Sequence, residues 1–142
     1  MKNYTTIFLI FSIFSSCTQK EMGYKKEESI LFNNVDLAVT KDTKRVYILT
    51  EKECPTCNKE FALFMEQNLK DSTALFIINA KGLQVDISMF ETPKSNVIRK
   101  KFKDPFFQKT KAIVLTNKKI DTILEINVKD KKNQFAFLNN LN

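Results

Sequence analysis

Two cysteines three residues apart, in the run Glu51-Lys52-Glu53-Cys54-Pro55-Thr56-Cys57, are the most chemically capable residues of this 142-residue chain. A thiolate attacks disulfides, and a second thiol close by can release the mixed disulfide formed at the first. The composition narrows the alternatives. The chain contains no histidine, which removes Ser-His-Asp and Cys-His catalysis, His-ligated zinc or copper, and a histidine proton shuttle. Its two glycines cannot build a P-loop or a G-x-G-x-x-G cradle. For a metal, Cys54 and Cys57 supply two thiolates, with no second pair or histidine to complete four ligands. No metal and no cofactor is therefore expected. Carboxylate, lysine, tyrosine or cysteine chemistry survives, or none.

The elements around the pair are legible. Arg45 to Thr50 is a β-branched and aromatic run of the kind that forms a buried strand. From Pro55 to Leu69, residues Cys57, Phe61, Phe64, Met65 and Leu69 recur on one helical face. Pro55 suits the first turn, where its missing N–H would be unpaired anyway. Cys54 therefore falls at a helix N-terminus, whose partial charge of about +0.5 favours a thiolate. Glu51 and Glu53 are expected to oppose that thiolate, and Lys52 and Lys111 to favour it.

Further along, Val35 to Val39 alternates as a short strand, and Ala74 to Asn79 is a second apolar run, expected to pair in parallel with Arg45–Thr50. Leu83 to Ile87 reads as a short strand and Ser95 to Phe102 as a basic helix after Pro93. Asp104-Pro105-Phe106-Phe107 reads as a turn, its aromatics exposed, in the core, or lining a groove beside the cysteines. Ala112–Thr116 and Ile120–Val128 form a hairpin about Asn117-Lys118-Lys119, and Asp130 to Leu141 closes the chain as a helix. One α/β domain is expected, a mixed sheet with helices on both faces.

The N-terminus has the features of an export signal. Lys2 precedes the apolar run Ile7 to Phe14, which is too short to span a bilayer and the right size for a secretory core. Ser15-Ser16-Cys17 resembles the lipobox of bacterial lipoproteins, with Phe14 where leucine is usual. The resemblance implies that residues 1–16 are a signal peptide and that Cys17 is lipidated. An ordinary cleaved signal with an incidental cysteine, or a buried N-terminal strand, are the plainer readings. Residues 17–29 then read as the lipidated cysteine and a polar tether, and 30–142 as the domain. The net charge of +7 falls to +6 when Lys2 is removed with the signal.

From strand through C-x-x-C, helix, strand, intervening segment, hairpin and final helix, residues 35–142 resemble the thioredoxin family. The resemblance implies a thioredoxin-like mixed sheet flanked by helices, a redox-active Cys54–Cys57 disulfide with Cys54 as nucleophile and Cys57 resolving, and Pro55 and Thr56 tuning the potential. It also implies a substrate groove formed by Pro55, Thr56, Thr110 and Lys111. Three positions depart from the family pattern. Thr110 and Lys111 stand where a cis-proline is usual, Ile48 where a buried acid often lies, and Glu53 where an aromatic residue precedes the first cysteine.

The implied function is that of a thiol-disulfide oxidoreductase, lipid-anchored to the inner or outer membrane of a bacterial envelope and facing the periplasm. Its partners would be periplasmic protein thiols and disulfides. The alternative is a redox-silent thioredoxin-fold lipoprotein serving as a binding or scaffold module, with the pair a structural staple. Phe106-Phe107 beside Lys100, Lys101 and Lys103 could be read as nucleic-acid contacts, but an exported protein has little access to nucleic acid, and none is expected as a partner.

Overall fold

The computed structural model describes residues 23–52 and 54–141. Residues 1–16, read as a signal peptide, Cys17 and Glu53 lie outside the described residues. The elements, in order, are α1 (Lys25–Val35), β1 (Arg45–Thr50), α2 (Pro55–Gln67), β2 (Ala74–Asn79), β3 (Val97–Arg99), β4 (Lys111–Thr116), β5 (Lys119–Glu125) and α3 (Lys131–Asn139), with short 3-10 turns at Asp36–Ala38, Ser88–Phe90 and Pro105–Gln108. The fold is mixed α/β: one five-stranded sheet, ordered β3-β2-β1-β4-β5, flanked by three helices.

β1 and β2 pair in parallel from Arg45 opposite Ala74 to Thr50 opposite Asn79, as their unbroken apolar runs require. All six residues of β1 are buried. Alternate residues serve two cores. Tyr47, Leu49, Phe76, Ile78 and Ala112 face α2 and α3, while Val46, Ile48, Leu75, Ile77 and Ile113 face α1 and the Pro105–Gln108 turn. On the first side Tyr47 meets Phe61 and Phe64 edge-on, with centroids 5.9 and 5.8 Å apart, and Phe64 stacks on Phe135 of α3 at 4.9 Å. β4 runs antiparallel to β1 and opens the hairpin with β5. Asn117 and Lys118 both take positive φ, 51° and 61°, the twist that a two-residue hairpin turn demands.

Four expectations are corrected. Val35–Val39 is not a strand: α1 runs to Val35 and a 3-10 turn follows. Lys25 to Ser29, read as tether, are the first turns of α1. That helix inserts Leu31 completely into the second core, and its Glu28 carboxylate accepts the Ile120 N–H at 2.8 Å. Leu83–Ile87 is irregular backbone rather than a strand. Ser95–Phe102 is not a helix: its β-branched Val97 and Ile98 pair in parallel with Phe76 and Ile77 to form the edge strand β3. Phe106 and Phe107, for which an exposed turn was one reading, are buried, with the Phe107 ring against Phe102 at 4.3 Å.

Candidate thiol-disulfide site

β1 ends on the fully buried Thr50, and the chain turns outward through Glu51 and Lys52 before entering α2. Cys54 is the N-cap of α2, with φ −83° and ψ 100°, and Pro55 occupies the first helical turn. The Cys54 carbonyl accepts the first helical bond from the Asn58 N–H at 3.0 Å, and the Cys54 Sγ accepts from the Cys57 N–H at 3.2 Å. The sulfur therefore does what a serine or aspartate oxygen does at other helix starts, satisfying an amide that lacks an intrahelical partner.

Cys54 and Cys57 form a disulfide, with Cα atoms 5.3 Å apart. The two sulfurs have unequal surroundings. Cys57 is fully buried on the α2 face that carries Phe61 and packs against Tyr47, whereas Cys54 is partly exposed and Pro55 and Thr56 are exposed beside it. Cys54 is thus the more exposed residue of the pair. A thiolate there would face the first-turn amides of α2, which is the physical basis for stabilising it.

A buried polar network holds the loop in place. Asn58, 2% exposed, donates from Nδ2 to the Lys52 carbonyl at 3.0 Å. Its Oδ1 accepts from the Thr110 hydroxyl at 2.6 Å, and the same Thr110 Oγ1 accepts the Thr50 N–H at 3.2 Å. The Thr50 hydroxyl in turn accepts the Lys52 N–H at 3.3 Å. The end of β1, the start of α2 and the residue before β4 are thereby joined. Sequence reasoning placed Thr110 here but missed Asn58 and Thr50. The signal was present: Asn58 shares a helical stripe with Phe61, Ala62 and Met65, and a polar residue on an apolar stripe asks for a buried partner.

The remaining expected site residues are placed differently. Thr110 is buried and spent on this network. Lys111 is also buried, pairs across from Ile48, and sets its Nζ 4.3 Å from the Phe106 ring centroid. Ile48 and Phe106 belong to the core on the sheet face opposite α2, so the Lys111 ammonium stands on the side away from the cysteines. Its expected support of a Cys54 thiolate is corrected accordingly. Among the described residues no peptide bond is cis.

Glu51 acts structurally. Its carboxylate accepts the backbone N–H groups of Lys81, Leu83 and Gln84, tying the segment after β2 to the loop that carries Cys54. Burial alone would raise its pKa, but the amide bonds from Gln84, Lys81, Leu83 and Val85 outweigh that and hold it below the ordinary glutamate value. Glu51, expected to oppose a thiolate, is thus an ionised carboxylate engaged by backbone amides.

No protein-family model, curated protein or solved structure matches this chain.

Proposed function

We propose that this chain is a thioredoxin-like thiol-disulfide oxidoreductase, lipid-anchored through Cys17 in a bacterial envelope, that exchanges disulfides with periplasmic proteins. The observation that carries the reading is the asymmetry of the Cys54–Cys57 disulfide, its partly exposed half capping α2 and its other half in the core. The passage from β1 through the pair into α2 and parallel β2, with the β4–β5 hairpin and α3 beyond, supports it.

In the reducing direction, the Cys54 thiolate attacks one sulfur of the substrate disulfide. The new Cys54–substrate bond forms as the substrate bond breaks and its other sulfur leaves as a thiolate. The Cys57 thiolate then attacks Cys54 Sγ, re-forming the Cys54–Cys57 bond and expelling the second substrate thiolate. Two electrons pass from the pair to the substrate, and the two substrate thiolates take up protons from water. The oxidising direction is the reverse.

The test is a glutathione redox titration of the full chain with thiol trapping. A reversible couple between about −120 and −270 mV is expected, the range of exchange catalysts. A pair that is reduced only on unfolding would end the reading and leave the redox-silent binding module. The observation favouring that second reading is Thr110, buried and hydrogen-bonded where the resemblance calls for proline. Incorporation of labelled palmitate, lost in Cys17→Ala, tests the anchor independently.

A further inference from the structure

The carboxyl ends of β1, β2 and β3 open into a cleft of about 1150 Å³, bordered on one side by Glu51 and Lys52 of the cysteine loop. Six exposed cations line it: Lys52, Lys81, Arg99, Lys100, Lys101 and Lys103. Among the described residues none of the six has an ion-pair partner. Lys109, also on the rim, is paired with Glu125 at 2.9 Å. The single carboxylate in the lining is Glu51, already engaged by three backbone amides. Six like charges around one depression repel one another, and an anionic occupant relieves that repulsion.

The cleft is built rather than incidental. Glu51 fixes the wall at residues 81–84. Asn79, at the end of β2, fixes the other: its Nδ2 donates to the Phe107 carbonyl at 2.8 Å and its Oδ1 accepts the Phe102 N–H at 3.1 Å. Gln108 Nε2 donates to the Phe102 carbonyl at 2.5 Å. These bonds hold the 100–108 segment, and with it the backbone bearing Lys100, Lys101 and Lys103, at a set distance from the sheet. Apolar residues share its floor and walls: Pro105 is exposed, Ala80 partly exposed, and Ile78 and Phe102 are buried. The location is also the one where open parallel sheets place ligands, beyond the carboxyl ends of the strands.

Charge and floor together select the occupant. A bare polyphosphate satisfies the lysines but has no apolar surface to lay on Ala80 and Pro105. A short protein segment of aspartates and glutamates with interspersed apolar side chains satisfies both. We propose that this cleft docks an acidic, apolar-studded peptide segment of the partner protein. The clause that this partner is the one whose disulfide meets Cys54 rests on the oxidoreductase reading; binding of the segment does not.

The experiment measures binding to the full chain by fluorescence anisotropy. The probe is a fluorescein-labelled peptide of glutamates and aspartates with two leucines, and its Gln/Asn counterpart serves as control. Reversing Lys100, Lys101 and Lys103 together to Glu is expected to weaken binding at least about tenfold, and Lys132→Glu on α3 to leave it unchanged. Added salt is expected to weaken it progressively, because these charges are exposed. Replacing both leucines by serine is expected to weaken it by about fivefold or more, since the apolar area they bury in the cleft is lost. Equal binding of the acidic and amide peptides, or indifference to the triple reversal, overturns the proposal. So does stronger binding of polyphosphate or phosphatidylglycerol vesicles than of the peptide at equal charge. The readout uses no thiol chemistry and is repeated in Cys54→Ser/Cys57→Ser. A failed redox titration with intact peptide binding therefore sinks the oxidoreductase reading alone, and the converse result sinks the cleft alone.

Discussion

Replacing Asn58 by Ala is the most informative single perturbation of the network beside the cysteines. It deletes the donor to the Lys52 carbonyl at 3.0 Å and the acceptor of the Thr110 hydroxyl at 2.6 Å. Lys52 is exposed, so its carbonyl can recover water, and that loss is about 0.5–1.5 kcal/mol. Thr110 is buried, and its orphaned hydroxyl costs about 1–3 kcal/mol unless it turns to the Thr50 oxygen 3.4 Å away. The sum, about 1.5–4.5 kcal/mol, is a large part of the stability of an ordinary domain. In urea unfolding of the oxidised chain it lowers the midpoint by about 1–2 M at unchanged slope. Thr110→Val, which breaks the same bond from the other end, is expected to couple to Asn58→Ala by about 1 kcal/mol in a double-mutant cycle. A loss under about 0.5 kcal/mol, or strict additivity, would refute the argument that this bond joins the cysteine loop to β4.

Three further outcomes are expected. Because the folded-state pKa of Glu51 is lowered, its contribution to stability is complete above the ordinary value of 4.5 and disappears as pH falls through the lowered one; Glu51→Gln should flatten the acid side of a melting-temperature-against-pH curve and speed amide exchange at Lys81, Leu83 and Gln84, and an unchanged curve would count against the tie. Burial, only partly offset by Arg45, raises the Tyr47 pKa from 10.0 to about 12, so its stabilising effect holds below pH 10 and fades between pH 10 and 12. Ultraviolet titration should show one tyrosine ionising only as pH approaches 12, and a tyrosine count complete by about pH 10.5 would contradict it. Leu31→Ala should cost about 2–5 kcal/mol, since Leu31 is fully enclosed, whereas a helix merely linking anchor to domain would make it neutral.

The elements with long apolar signals were legible: β1, α2, β2, the hairpin and α3 all lie where periodicity places them, within a few residues. The losses share a physical cause, which is that the decisive partners are distant in sequence. α1 is half polar, and only Leu31 and Val35 are buried in it; its face is defined by Val46, Ile48 and Phe107, which no local window contains. β3 is three residues long and becomes a strand through β2, with the Asn96 amide donating to Asp71 and Ala74 carbonyls to fix the register. The Leu83–Ile87 segment alternates like a strand, yet its first amides are taken by Glu51 rather than by a neighbouring strand. At the site, the cysteines and Pro55 were legible by type and spacing. The network through Asn58 and Thr110 and the inward turn of Lys111 were not, because both depend on how the chain entering β4 is placed against β1 and α2.

Arg45 stands at the opposite end of β1 from the cysteine loop. It is buried, ion-paired with Asp71 at 2.7 Å, and donates to the Thr73 hydroxyl at 3.2 Å and the Leu138 carbonyl of α3 at 3.4 Å. Between it and Thr50 lies about 16 Å of strand, beyond the range over which substitutions ordinarily interact. The sheet thus keeps its fastening at one margin and its cysteine loop and basic cleft at the other. Substitutions among the cleft lysines can therefore change the charge of that surface while the fastening goes on holding the chain together unaltered.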